Sequence, residues 1–265
     1  MKSAKKSLLL NSTTAFILAG LVVTTAHEAA HFLTAALLGV SARLYPSFVI
    51  PADSTTQQQV ITIAAAGPLF SLLAGLLLIW LFRKPAKGFI RLLTLWLGFL
   101  SAQIGFGYFL IAPFVKSGDT GYVLSALNVH PSVYAVVFII GALGTYFILP
   151  NLFGKLGSAY AQDKRMFFHL GMYPWLIGTS VLVGVYLITD AVIMHPESFD
   201  WLGLAATVTV GIFTPLANFG GAKAKALDLG LNVPVKPLLI TIALVLLIMF
   251  GLSHGLQVGM GTFSQ

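Results

Sequence analysis

The sequence has no cysteine and few charged residues. With Cys 0 in 265 residues, the chain can form no disulfide, offers no thiolate nucleophile and has no cysteine ligand for a metal. Charged residues make up only 9% of the chain, against roughly 25% in soluble globular domains. This composition excludes a water-soluble enzyme, and any metal ion must be bound by histidine or by one of the 8 acidic residues.

Long apolar runs take the place of the missing charge. Hydrophobic residues make up 57% of the chain, and a run of about 20 apolar residues is long enough to cross a hydrocarbon core about 30 Å thick. Uninterrupted apolarity predicts seven spans, at residues 8–38, 60–82, 89–115, 133–153, 167–194, 201–219 and 235–252. We therefore expect an all-α fold, a polytopic transmembrane helical bundle, because barrel strands would alternate polar and apolar residues.

The distribution of basic residues among the loops predicts the orientation. The segments before the first span and after the second, fourth and sixth are positively charged, whereas the other loops are balanced or negative. Because Lys and Arg are retained on the cytoplasmic side, the chain is expected to begin inside and end outside, in the bacterial cytoplasmic membrane. The first apolar run exceeds the roughly 7 to 15 residues of a signal peptide, which favours a span over a cleaved leader. Topology thus accounts for the formal charge of +7, and no nucleic-acid partner is expected.

The loop between the first two spans, residues 41–59, has a composition that disfavours a helix. Pro46 and Pro51 interrupt it, whereas Tyr45 and residues 48–50 favour extended structure. A short β-hairpin and an irregular loop are the two alternatives for this segment.

The first span contains His27-Glu28-Ala29-Ala30-His31, an HExxH pattern. In a helix the i, i+4 spacing puts both imidazoles on one face, where they can bind one zinc ion. Glu28 then lies beside the ligands and can accept a proton from a zinc-activated water. With 6 histidines and two glutamates in the chain, the chance frequency of the pattern is about one in a thousand. The alternative is a structural cluster of His and Glu that is hydrogen-bonded inside the bundle.

A catalytic zinc site needs a third protein ligand and one open position. Asp119 and Asp190 lie at a span or its edge, on the face toward which the first helix runs. We favour Asp119, because Pro113 and the glycines around Asp119 predict a break in the helix, and non-helical backbone at membrane depth is tolerated where it lines a cavity. Asp190 is the second candidate, with His195 and Glu197 following it. The histidines near other span ends are expected to be solvated and are assigned no role: His130, His169 and His254.

At these residues the chain resembles the site-2 protease family of intramembrane zinc metalloproteases. The resemblance rests on the HExxH of the first span, on Ala66-Gly67-Pro68 opening the second, and on Pro113 and Gly118-Asp119 after the third. It covers about the first half of the chain, so that residues 1–125 would be a three-helix catalytic core. Residues 126–265 would then form a C-terminal four-span helical bundle.

The resemblance implies hydrolysis of a peptide bond within or near the transmembrane segment of a membrane-protein substrate. It implies one zinc ion per chain, bound by His27, His31 and Asp119, with Glu28 as the general base. The expected partners are the substrate helix and the lipid bilayer. Because such proteases have strands between the first two core helices, residues 43–50 are expected to offer an edge to which an unwound substrate adds.

Two other classes of function fit the same residues. An HExxH pattern defines the metal and the water but not the acyl group attacked, so a membrane zinc hydrolase acting on a lipid or a prenylated substrate is one alternative. The other is a non-catalytic transporter or scaffold, in which the His and Glu cluster relays protons or pairs internally. Repeat-related halves with broken helices would favour transport, and the sequence has none.

Overall fold

The computed structural model of the chain describes residues 2–82, 88–158, 160–161, 163–189, 201–218, 231–252 and 255–263. These residues form a bundle of helices with a small three-stranded sheet. The helices are α1 Lys2–Leu37, α2 Gln57–Leu81, α3 Gly88–Ile111, α4 Asp119–Ala126, α5 Pro131–Leu143, α6 Leu149–Gly157, α7 Lys164–Leu170, α8 Met172–Thr189, α9 Trp201–Thr209 and α10 Val235–Leu246. The strands are β1 Ala42–Leu44, β2 Val49–Pro51 and β3 Leu256–Val258. Two π-helical turns, Gly144–Ile148 and Leu247–Gly251, join α5 to α6 and extend α10.

Among the described residues, five helical segments are long and apolar enough to cross a membrane. They are Lys5–Leu37, Gln57–Leu81, Gly88–Ile111, Pro131–Gly157 and Lys164–Thr189. These segments coincide with the first five predicted spans, although residues 190–194 of the fifth lie outside the described part of the chain. The predicted seventh span is a shorter apolar helix, Val235–Gly251. The fold is therefore a bundle of apolar helices, as the composition predicts.

The predicted sixth span, residues 201–219, is not one continuous helix. Helix α9 ends after 9 residues, and turns follow it over residues 210–216. Gly211 has a φ of +78°, which residues with side chains rarely adopt, and Pro215 has no N–H for a helical hydrogen bond. The Gln103 side chain accepts from the Gly211 N–H and donates to the last carbonyl of α9, each at 2.7 Å. The Gln103 side chain therefore satisfies one carbonyl and one N–H at the break inside the protein.

Aromatic side chains from both halves of the chain form a shared core. Trp96 of α3 lies edge-on to Phe16 of α1, with ring centroids 4.9 Å apart, and its ring centroid is 5.1 Å from that of Phe153 in α6. Phe153 also contacts Phe213, in the turn after α9, at 5.3 Å between centroids. All four side chains are fully buried. The two parts predicted from the sequence thus pack against each other through one apolar cluster.

The loop after α1 is a β-hairpin, the first of the two predicted alternatives. Strands β1 and β2 pair antiparallel around a turn that is closed by a 2.9 Å hydrogen bond from the Tyr45 N–H to the Phe48 carbonyl. On its other side β1 pairs antiparallel with β3, which the sequence does not predict, so the strand order is β2-β1-β3. The last strand therefore returns to the end of the bundle where α1 finishes.

Candidate metal centre

Helix α1 buries the HExxH residues inside the bundle. His27 and His31 have ring centroids 4.8 Å apart and are 2% and 5% exposed. Glu28 is 6% exposed and lies close enough to His31 to interact with it electrostatically. The i, i+4 spacing thus brings the two imidazoles together on one buried face, as the sequence predicts.

Asp119 reaches the same place from the segment after α3. Helix α3 ends before Pro113, and α4 begins at Asp119 with Gly118 as its N-cap. The predicted break in the helix is therefore present. Oδ2 of Asp119 lies 3.1 Å from Nε2 of His27 and 3.1 Å from Nε2 of His31. A carboxylate in the first turn of α4 also interacts favourably with the helix dipole.

The three donor atoms form a nearly equilateral triangle. Nε2 of His27 and Nε2 of His31 are 3.2 Å apart, and each is 3.1 Å from Oδ2 of Asp119. Ligand atoms about 2.0–2.1 Å from a tetrahedral zinc ion are about 3.3 Å from one another. The triangle thus has the dimensions of one face of a tetrahedral zinc site, which leaves the fourth position for water or substrate.

Both imidazoles use their other ring nitrogen, Nδ1, to contact α2. His31 Nδ1 donates to the Ile63 carbonyl at 2.6 Å, and a carbonyl can only accept, so this nitrogen carries the proton. In the same tautomer His27 Nδ1 donates to Ser71 Oγ at 3.0 Å. Each Nε2 lies 3.1 Å from Oδ2 of Asp119, so a proton can be shared between each pair of atoms. When the imidazoles are neutral in this tautomer, both Nε2 lone pairs and the carboxylate face one point, and this donor set fits zinc.

The backbone of α2 approaches the imidazoles at Gly67. A Cβ atom at this position would lie 2.3 Å from Nε2 of His31 and 2.8 Å from Cε1 of His27. Only glycine allows this approach, because any side chain would occupy the space of the two rings. The glycine of the Ala-Gly-Pro sequence therefore has a specific role in forming the site.

The proline of the same sequence lies in the middle of α2 and not at the opening of the second span, where the resemblance puts it. The helix starts earlier because Thr56 and the side chain of Gln59 form a capping box. Pro68 has no N–H to bond the Ala64 carbonyl, so the hydrogen bonding of α2 is interrupted next to the Ile63 carbonyl that contacts the metal centre.

Two side chains beside the centre are not identified as site residues by the sequence patterns. The Tyr108 ring stacks on the His27 ring, with centroids 5.0 Å apart and planes 8° from parallel. Ser71 bonds His27, and its carbonyl accepts a 2.8 Å hydrogen bond from the Ser101 hydroxyl. Ser71 follows Gly67 by one helical turn, and this spacing is the only sequence signal that points to it.

The Asp119 carboxyl is held in its ionised form. Burial by itself raises the pKa of this carboxyl, but the hydrogen bonds and charges of His27 and His31 outweigh burial and lower the pKa below its usual value. Asp119 is therefore in the form that binds a metal ion.

The remaining candidate residues are not part of this cluster in the described chain. Asp190, His195, Glu197 and His254 lie outside the described residues. His130 precedes α5 and accepts a hydrogen bond from the Ser132 N–H, and His169 Nδ1 donates to the Arg165 carbonyl at 2.7 Å. Both of these histidines have local hydrogen-bonding roles at helix ends.

Comparisons of the chain with protein-family models, with curated proteins and with solved structures gave no match. Function is therefore inferred from the donor atoms, from their surroundings and from their position in the bundle.

Replacing Gly67 by alanine is expected to abolish zinc binding, because the added Cβ would overlap the His31 ring. Zinc content of the purified variant, measured by mass spectrometry of the metal, tests this. The matched control is Gly184→Ala in α8, where a Cβ meets no atom within 4 Å. Full zinc content in Gly67→Ala would contradict the assignment of His31 as a ligand.

Replacing Ser71 by alanine is expected to weaken zinc affinity by about 10- to 100-fold, because the His27 ring loses the partner that orients it. Competition with a chelator measures this affinity. Ser180→Ala serves as the control, since the Ser180 hydroxyl is exposed and bonds only within α8. Equal affinities of the Ser71→Ala and wild-type proteins would remove the orienting role of this hydroxyl.

Proposed function

We propose that the protein is an intramembrane zinc metalloprotease that hydrolyses a peptide bond within or near a transmembrane segment of a membrane-protein substrate. The observation that carries the proposal is the convergence of His27, His31 and Asp119 donor atoms among apolar helices, with Glu28 beside them. A zinc ion at this position supplies a Lewis acid and brings the pKa of a water molecule to about 7. The resemblance to the site-2 protease family supports the same activity.

Glu28 is the general base of the proposed reaction. It is 6% exposed and neighbours both histidines on α1. A charged group inside an apolar span costs roughly 2.5–3.5 kcal/mol on insertion scales, so such groups are retained for function or for pairing. The Glu28 carboxylate accepts a proton from the attacking water and returns it to the amine nitrogen that leaves the cleaved peptide bond.

The outer edge of β2 is the proposed docking site for the unwound substrate. Hydrogen bonds join Tyr45 to Phe48 and Ala52 to Ser41, so bonded pairs alternate along the hairpin and Val49 directs its N–H and carbonyl away from β1. Within the described residues no strand pairs with this edge. An extended peptide can therefore add there as a further strand.

Helix α2 connects this edge to the metal centre. The Ile63 side chain packs with Ala42 and Val49 in an apolar cluster beneath the sheet. The Ile63 carbonyl accepts the hydrogen bond from His31. A substrate strand on β2 would thus lie beside Ile63, the residue of α2 whose carbonyl also orients a proposed metal ligand.

We propose a seven-crossing topology with the amino terminus inside, in which contacts at the start of α1 support the shared face of the loops and the basic residues of these loops support the inside location. Ser7 donates to the carbonyl of Leu231 and Asn11 to that of Asn232, just before α10. Nζ of Lys5 lies 3.9 Å from Oδ2 of Asp163, the residue just before α7. These loops share one face, and the sheet lies on the other. The proposed location is the bacterial cytoplasmic membrane.

The Glu28→Gln variant is expected to keep its zinc and to lose at least about 100-fold in cleavage rate, because the ligands remain while the base is removed. The assay uses proteoliposomes and a synthetic Leu-rich transmembrane peptide interrupted by Asn-Gly, with products identified by mass spectrometry. Glu197→Gln, the same substitution at the other glutamate of the chain, is the control and should cleave like the wild type.

Full activity of Glu28→Gln would remove the general-base assignment. Cleavage of a prenylated peptide or a phospholipid, with the transmembrane peptide left intact, would replace the protease by another membrane zinc hydrolase. A zinc-loaded wild-type protein that hydrolyses none of these would favour a non-catalytic role.

A further inference from the structure

A cavity of about 80 Å³ lies between α1 and the helices of the C-terminal half. One water molecule needs about 10–15 Å³ on the same measure, so the cavity can admit a group of several non-hydrogen atoms. Leu21 and Thr25 of α1, Leu182 and Val185 of α8, and Thr207 of α9 contribute to its lining. The cavity therefore brings together the helix that carries the HExxH residues and helices to which the sequence assigns no role.

The lining is chemically apolar in spite of its threonines. Three of the four lining threonines, Thr25, Thr189 and Thr207, donate hydrogen bonds from their hydroxyls to carbonyls four residues earlier in their own helices. The hydroxyl protons of these three residues are therefore not available to a ligand. Aliphatic side chains of α1, α8 and the residues beyond them form much of the remaining wall, so the cavity fits an apolar group.

The cavity and Glu28 share one face of α1. Thr25, Thr24 and Leu21 precede Glu28 by three, four and seven residues, the spacings that place residues on one side of a helix. The lining thus starts one helical turn from the proposed general base. An apolar group bound in the cavity would lie next to a peptide bond attacked at the metal centre.

The turn of the β-hairpin forms part of the wall of the cavity. Pro46 and Ser47, which connect β1 to β2, are both lining residues. A peptide that adds to the edge of β2 therefore runs beside the cavity. Strand addition fixes its backbone, and alternate side chains can then enter pockets on one side.

The geometry points to this cavity as the pocket for an apolar side chain of the substrate, adjacent to the scissile bond. The inference rests on the proposed proteolytic function and extends it to substrate choice. It also assigns a role to the C-terminal half, because α8 and α9 would set the size of the side chain that is accepted.

The first test measures selectivity among three transmembrane peptides that differ only in the residue before an Asn-Gly break, which is Ala, Leu or Phe. The wild type is expected to prefer Phe and Leu to Ala by at least about 10-fold. Val185→Phe should lose this preference by filling the cavity, and Leu182→Ala should shift it toward Phe. The control is Val181→Phe, one turn earlier on α8 at an exposed position. Unchanged selectivity in both pocket variants, with zinc retained, would overturn the inference.

The second test needs no activity and uses the absence of cysteine from the chain. Val185→Cys and Val181→Cys are made in the Glu28→Gln background and treated with a short bis-maleimide and peptides that carry one cysteine. Cross-linking is expected only for Val185→Cys, and only with the cysteine next to the break. If this pattern appears but the wild type cleaves no peptide, proteolysis fails while the binding site stands. Cross-linking that does not depend on the position of the cysteine in the peptide would overturn the inference. So would a phospholipid that copurifies with the wild type and is lost in Val185→Phe while peptide selectivity is unchanged.

Discussion

The site depends on bringing two imidazole nitrogens and a carboxylate oxygen within 3.1–3.2 Å of one another in the interior of an apolar bundle. Buried polar groups are costly where water is scarce unless they are paired, and here the two imidazoles pair with the carboxylate. A divalent cation bound by the three atoms would take the place of the shared protons. The surrounding features serve this geometry: the helical spacing on α1, the glycine on α2, and the break that leads from α3 into α4.

The orientation of the ligands and the shape of the substrate site have a common support in α2. Its Ile63 carbonyl accepts a hydrogen bond from His31, its Ser71 hydroxyl is hydrogen-bonded to His27, and its Ile63 side chain packs beneath the hairpin. The two imidazoles are therefore oriented by groups on a helix, and helices hold a site geometry better than loops. The C-terminal half completes the arrangement, since β3 pairs with β1 and α8 lines the cavity next to the proposed base.

Local sequence patterns predict the local features of this structure, but they predict few of the contacts between residues far apart in the chain. The i, i+4 histidines and the helix break before Asp119 are encoded within a few residues, so helical periodicity and the chemistry of proline and glycine predict them. Asp119 lies 88 residues from His31, and two local signals identify it: the scarcity of acidic residues in this chain, and the helix break that Pro113 and the nearby glycines predict. Ser71, the Tyr108 stack and β3 depend on tertiary packing, which no local pattern records. Apolarity alone also missed the interruption after α9, where the Gln103 side chain replaces helical hydrogen bonds.

The most direct test of the account is the zinc content of the protein purified in mild detergent with zinc supplied, alongside His27→Ala, Asp119→Asn and Asp190→Asn. The account predicts about one zinc per chain in the wild type and in Asp190→Asn, and loss of zinc in the His27 and Asp119 variants. A metal-free wild-type protein would contradict the central claim. Zinc retained in Asp119→Asn but lost in Asp190→Asn would show that the carboxylate ligand is a different residue.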